Sequence, residues 1–258
     1  MRADERERYR LQGGLGVHRR RVMQSATVVR EAMAAYPGTW AVAASGGKDS
    51  TAMLSVCLDA GWRGPLFHFW YRETPEENTA LVAALATRFG LDLHTVEVPG
   101  AFDVFDEVGH AFVHARTRAE REAARRMLAA YKQEAADAQR RLDYAGVFIG
   151  LRAEESRPRA ITIARKGLIY ITNDRPGATA LPLARWTAAD VWARHLMADL
   201  PWLARYDLAE DRDRERSETT YLAAEGIWRH GQGRRLRESD PALWARLTAR
   251  WPGLAEWG

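Results

Sequence analysis

Two periods of hydrophobic and polar residues alternate along this chain, and the switches between them mark its elements. Val22, Ala26, Val29 and Met33 recur at helical spacing, which predicts a helix over Val17–Ala35 with one apolar stripe. Pro37-Gly38 punctuates its end. Trp40–Ala44 is then apolar at every position, as a strand buried on both faces would be. A helix is predicted over Thr51–Ala60, a strand over Leu66–Trp70, a helix over Pro75–Phe89 and a strand over Leu93–Val98. Tyr144–Gly150 reads as a further buried strand. This alternation predicts an α/β fold, a parallel twisted sheet with helices on both faces. Its ligand crevice should lie at the carboxyl ends of the strands.

Residues 103–143 interrupt the rhythm as a helical insertion. Arg116–Met127 is helical by propensity and the pattern continues through Tyr131–Leu142, as two helices or one long one. Basic residues outnumber acidic ones there, which suits either a solvated face or a basic wall that holds an anionic second substrate. Towards the end of the chain, Arg212–Glu218 alternates in charge like a solvated surface. Asp240-Pro241 opens a tail helix, with aspartate at the N-cap and proline at the first position. Leu243, Trp244, Leu247, Trp251 and Leu254 follow at helical spacing, so the tail should dock on the core. The expected organisation is an N-terminal helical segment (1–36), a main domain (37–210) and a C-terminal helical tail (211–258). Gly13-Gly14-Leu15-Gly16 reads as a flexible joint.

Composition narrows the partners. At 258 residues the chain can bury a substantial core. A formal charge of +4 points to anionic ligands, although arginine supplies almost all of the positive charge. Only three lysines occur, Lys48, Lys132 and Lys166. The single cysteine, Cys57, cannot form an internal disulfide, and with a charged N-terminus this predicts a cytoplasmic protein. No apolar run is long enough to span a bilayer, so no membrane partner is expected. His110 and His114 stand four apart, which is ligand spacing, but surface histidines are the plainer reading.

The chemistry concentrates in Ser45-Gly46-Gly47-Lys48-Asp49-Ser50, directly between the first strand and the next helix. Glycines let the main chain approach a ligand, and the N–H groups of the helix's first turn point at it with the positive end of the dipole. Lys48 adds charge and the two serines add donors. Such a loop suits a polyphosphate. The spacing differs from a Walker A motif, which has four residues between its glycines.

The hexapeptide resembles the PP-loop of the adenine nucleotide α-hydrolase superfamily, the N-type ATP pyrophosphatases. Three further blocks resemble the phosphoadenosine phosphosulfate reductase family within it. Gly150-Leu151-Arg152-Ala153-Glu154-Glu155-Ser156-Arg157-Pro158-Arg159 is similar to its Gly-Leu-Arg-x-Glu-x-Ser-x-x-Arg segment. Pro182 to Val191, with Trp186 and Asp190, is similar to its Pro-to-Asp segment, and Leu200-Pro201 to Tyr206-Asp207 to its continuation, with Ala209 where glycine is usual. The family's reductases carry a nucleophilic cysteine in a C-terminal Glu-Cys-Gly-Leu-His segment, and residues 234–258 contain none. Its Asp-Thr-Gly after the second strand is also absent; Trp70-Tyr71-Arg72-Glu73 stands there, with Glu73 and Glu76 as metal candidates or helix-start carboxylates.

The resemblance implies a Rossmann-like, PP-loop type fold that binds ATP and Mg²⁺. Ser45, Gly46, Gly47, Lys48, Asp49, Ser50, Gly150, Arg152, Glu154 and Ser156 would bind the nucleotide. Lys48, Asp49, Arg152 and Arg159 would serve catalysis, Asp49 also holding the metal and Glu154 orienting Arg152. The implied reaction releases pyrophosphate and adenylylates an unknown anionic acceptor, which the basic insertion would suit as a nucleic acid. A sulfate or flavin mononucleotide adenylyltransferase, or a nucleotide sensor without catalysis, are the alternatives. Oligomeric state is left open.

Overall fold

The computed structural model describes residues 1–112, 115–172, 176–208 and 232–257. Helices α1 (Ala3–Gly14) and α2 (Gly16–Ala35) lead into β1 (Thr39–Ala43), α3 (Lys48–Asp59), β2 (Leu66–Trp70), α4 (Glu76–Phe89) and β3 (Leu93–Glu97). Then come α5 (Ala101–Val108), α6 (Arg118–Arg141), β4 (Tyr144–Phe148), a 3₁₀ turn (Ala153–Glu155) and α7 (Arg157–Lys166). Strands β5 (Ile169–Ile171) and β6 (Ala178–Ala180) precede α8 (Ala188–Met197), α9 (Arg205–Leu208), α10 (Gln232–Ser239) and α11 (Pro241–Arg250). Gly13 and Gly14 close α1 and Gly16 opens α2, with extended Leu15 between them.

The six strands form one sheet in the order β3-β2-β1-β4-β6-β5. β1 runs parallel to both β2 and β4, and β4 parallel to β6, as the alternation predicts. The edge strand β5 is antiparallel to β6, so the sheet is mixed there. Only a few residues join Ile171 to Ala178, too few for the crossover a parallel neighbour needs.

The chain divides into two compact units, Met1–Phe69 with Glu77–Val96 and Ala136–Leu203, and Trp70–Glu76 with Glu97–Ala135 and Ala204–Gly258. The first holds most of the sheet. Trp40, Val42, Leu66 and Phe148 share a core with Val29, Ala32, Met53, Val56, Val82 and Leu85 from the helices. Ala41, Phe67 and Val147, whose side chains alternate to the opposite face, are buried too, so both faces are covered.

Trp186 and Asp190, the fixed points of the Pro182–Val191 block, fasten the N-terminal helices. The Trp186 indole N–H donates to Ser25 Oγ at 2.8 Å, and Ser25 Oγ donates to the Pro182 carbonyl at 2.6 Å. Asp190 is fully buried and caps α8 through the Thr187 N–H at 2.9 Å. It also accepts from Gln12 at 3.2 Å, from His18 Nδ1 at 3.0 Å and from Arg21. Burial raises its pKa, but these donors outweigh burial and hold the carboxyl well below the ordinary range.

In the second unit, Phe102 and Phe105 of α5 form a core with Leu236, Leu247, Trp251 and Leu254. The tail's stripe thus packs on α5, after Asp240 caps α11 by accepting from the Leu243 N–H at 2.9 Å. Glu73 accepts from the Ala101 N–H at 2.7 Å, so this carboxylate serves the start of α5 and Glu76 merely begins α4. The insertion's helix is a single one, α6, of 24 residues. His110 pairs with Glu120 at 2.8 Å, while His114 and the Arg212–Glu218 segment lie outside the described residues. Among the described residues no helix is long and apolar enough to cross a membrane.

Candidate active site

β1 is the strand at which the sheet order reverses, with β2 and β3 on one side and β4 and β6 on the other. The loop from Ser45 to Ser50 leaves its carboxyl end and turns into α3, at the switch point where open α/β sheets bind ligands. Gly46 has φ +75°, and a Cβ there would lie 2.8 Å from the Asn78 carbonyl oxygen. Only glycine fits both demands. Gly47 is the N-cap of α3 and has no side chain to turn back on the helix's first-turn N–H groups.

Hydrogen bonds hold the loop in shape. Ser50 Oγ donates to the Gly47 carbonyl at 2.9 Å and accepts from the Ser45 N–H at 3.3 Å, and Ser45 Oγ accepts from the Gly47 N–H at 3.3 Å. Asn78 of α4, fully buried, donates to the Ser45 carbonyl at 3.1 Å. Below the loop, His195 of α8 donates from Nε2 to the Lys48 carbonyl at 2.8 Å. His68 of β2 donates from Nδ1 to the Ala44 carbonyl at 2.7 Å, and among the described residues its buried Nε2 has no partner. Desolvation pushes both imidazoles below their ordinary pKa, which keeps them neutral.

The charges meet at Asp49. Its Oδ2 accepts from Lys48 Nζ at 2.7 Å and its Oδ1 from Arg152 Nε at 2.6 Å. Burial raises the Asp49 carboxyl, but the two cations outweigh it and leave it below the ordinary carboxylate range. Lys48 and Arg152 are themselves buried, at 4% and 2% exposure. Arg152 also donates from Nη1 to Glu154 Oε2 at 2.7 Å, and the same oxygen accepts from the Ala188 N–H at 2.6 Å. Glu154 therefore fixes the guanidinium. Gly150 admits this closure: a Cβ on it would stand 3.2 Å from the Asp49 carbonyl group.

Two residues of the expected set sit elsewhere. Ser156 is the N-cap of α7 and accepts from the Arg159 N–H at 3.3 Å. Arg159 pairs with Glu155 at 2.6 Å on the surface. The donor chemistry also makes no magnesium site of the protein's own. Both Asp49 oxygens are engaged by cations, and among the described residues no three His, Cys, Asp or Glu side chains gather around a common point. Sequence reasoning missed Asn78, His68 and His195. The available signal was a polar residue on the buried face of an element, as with His195 three positions from Trp192 in α8.

A family model, the phosphoadenosine phosphosulfate reductase domain, matches residues 39–209, well over half of the chain. The chain belongs to this family. No curated protein matches it in sequence. Among solved structures, it is similar to the phosphoadenylyl-sulfate reductase of Candida auris, solved with phosphate, with a TM-score of 0.52 and 17% identity over 72% of this chain and 84% of that one. It is also similar to the flavin mononucleotide adenylyltransferase of Candida glabrata. With flavin mononucleotide and the ATP analogue AMPCPP bound, that enzyme gives a TM-score of 0.51 and 15% identity over 79% of this chain and 69% of that one. At these identities the likeness is one of fold. In this member of the reductase domain family the single cysteine, Cys57, is fully buried in the core behind the loop, and burial pushes its thiol pKa up.

Proposed function

We propose that this protein binds ATP in the Ser45–Ser50 loop and transfers AMP to an acceptor, releasing pyrophosphate. The observation that carries the reading is the Asp49 carboxylate held between Lys48 and Arg152 at the start of α3. Asp49 is the counter-ion that these two buried cations share. A polyphosphate offers the same charge from the ligand side, so Lys48 and Arg152 are placed to meet β- and γ-phosphates together with the α3 amides. In the reaction an acceptor atom bonds to the α-phosphorus and the bond to the bridging oxygen breaks. Pyrophosphate leaves with the electron pair; a hydroxyl acceptor loses its proton to solvent, and a sulfate or phosphate acceptor attacks as the anion with none to lose. The residues stabilise the charge that builds on the departing oxygens. Magnesium, when it accompanies the nucleotide, neutralises phosphate charge. Cys57 takes no part, so the proposal excludes thiol-based sulfonucleotide reduction and fits a cytoplasmic protein.

The test is incubation of the full chain with α-labelled ATP, magnesium and separate acceptors, namely sulfate, flavin mononucleotide and oligonucleotides. Pyrophosphate and an acceptor heavier by one AMP are expected. ATP binding without pyrophosphate release from any acceptor would favour a sensor, and no ATP binding would end the proposal.

A further inference from the structure

Helix α7 carries Arg157, Arg159, Arg165 and Lys166 in ten residues, and no acidic residue. None of its residues is buried, and Ile161 on it is 49% exposed. An isolated helix of this length is marginal in water, and helices usually gain stability by burying an apolar face. This one half-buries only Ala160 and Ile163. Its charges do not stabilise it uniformly either. Arg165 and Lys166 suit the negative end of the helix dipole, but Arg157 and Arg159 occupy the positive end, where cations are unfavourable. At 3.6 residues per turn the four cations lie round the helix, with Arg157 and Lys166 on opposite faces. Exposed cations, two of them kept at a local cost to the helix, indicate an anionic ligand.

Its position names the ligand's task. The 3₁₀ turn Ala153–Glu155 joins α7 directly to Arg152, and Glu155 accepts both from the Arg152 N–H at 2.9 Å and from Arg159 at 2.6 Å. Whatever lies along α7 therefore leads to the nucleotide loop. The cations are spread: Arg157 and Arg165 stand about 12 Å apart along the helix axis at 1.5 Å per residue. That is too far for one sulfate or phosphate and suits a repeating polyanion, since duplex DNA presents a charge about every 1.7 Å of its axis. Among the described residues, neither Arg157 nor Arg165 forms an ion pair, and Lys166 lies over the Tyr170 ring, 5.0 Å from its centroid.

The insertion helix differs. On α6, Arg118 pairs with Glu122 at 2.7 Å, Arg126 with Glu107 and Arg140 with Asp137, and Arg121 donates to the Arg116 carbonyl. Much of its charge is answered within the fold. We propose that α7, not α6, is the dock for a nucleic-acid acceptor, with Arg157, Arg165 and Lys166 on its phosphates. This rests on the AMP-transfer reading for the acceptor's role, but not for its binding.

The experiment measures anisotropy of labelled single- and double-stranded DNA and RNA with the full chain across a salt series. Wild-type protein should bind at least one of them, with affinity falling steeply with salt. The variant R157Q/R165Q/K166Q should lose tenfold or more in affinity and shift the log–log salt slope by about 0.7–0.9 per phosphate contact removed. Circular dichroism and unchanged ATP affinity should show that it remains folded. The variant R118Q/R121Q/R125Q on α6 should bind like wild type. Absence of binding by wild type, an unaffected α7 variant, or equal displacement by polyglutamate would each overturn the dock, the last in favour of an acidic protein. Nucleic-acid binding by a chain that fails to bind ATP would keep the dock and remove the AMP-transfer reading.

Discussion

Arg152 Nε lies 2.6 Å from Asp49 Oδ1, across 103 positions of sequence, and this bond closes the candidate site. It joins the turn after β4 to the first turn of α3, on the two adjacent strands where the sheet order reverses. Removing the carboxylate takes away the anion that two buried cations share, while Arg152 keeps Glu154. Asp49→Asn should therefore destabilise the protein by about 3 kcal/mol, at the lower end for a broken buried pair because Asp49 keeps some solvent contact. Added pyrophosphate should recover part of the loss by supplying the missing charge. Urea melts with and without pyrophosphate measure both effects, and an unchanged midpoint would show that Asp49 does not hold the cations.

Lys48→Ala removes one charge-assisted contact to the polyphosphate, worth about 1.5–3 kcal/mol. ATP affinity by calorimetry should fall roughly 10- to 150-fold. Equal affinity would disconnect the loop from the nucleotide.

Gly46→Ala places a Cβ at φ +75° and 2.8 Å from the Asn78 carbonyl oxygen. Strained backbone of this kind costs on the order of 1–3 kcal/mol. The variant should melt earlier and bind ATP more weakly, since the loop cannot relax without moving α4. Asn78→Ala should weaken ATP binding while sparing the glycine's conformation. Wild-type ATP affinity in both would place the loop's shape outside recognition.

Stability should fall as pH drops below about 6.5 because of His68 and His195. Both imidazoles titrate lower in the folded chain than their ordinary value of 6.5, so below that value the unfolded chain binds more protons. The contribution is present above pH 6.5 and is lost as pH falls towards their folded values. Denaturant melts across pH 7.5 to 5 should show the decline, and His195→Gln, which keeps a donor for the Lys48 carbonyl, should flatten it. An equally steep decline in that variant would remove His195 from the account.

Cys57→Ser buries a hydroxyl where the core offers a thiol's apolar surroundings, at a cost of about 1–3 kcal/mol. Pyrophosphate release by the folded variant should match wild type. Its loss in a variant with a native circular dichroism spectrum would restore a thiol mechanism.

Long periodic segments and the local loop signature were legible in the sequence. The helix expected over Val17–Ala35 and the strand Leu66–Trp70 follow from spacing, because amphipathic periodicity is a local property, whereas the helix expected from Thr51 begins three residues earlier, at Lys48. The three-residue strands β5 and β6 were not legible, since their order comes from pairing with β4 and with each other. The Ser45–Ser50 loop and the Arg152 block could be picked out one by one, and their resemblance linked them. Tertiary structure alone decided that Asp49 stands between Lys48 and Arg152. It also gave Ser156 to a helix cap, turned Asp190 to the N-terminal helices and set His195 beneath Lys48. Each of these depends on burial and on partners distant in sequence, and a carboxylate's role is set by which charges the fold brings within hydrogen-bond reach.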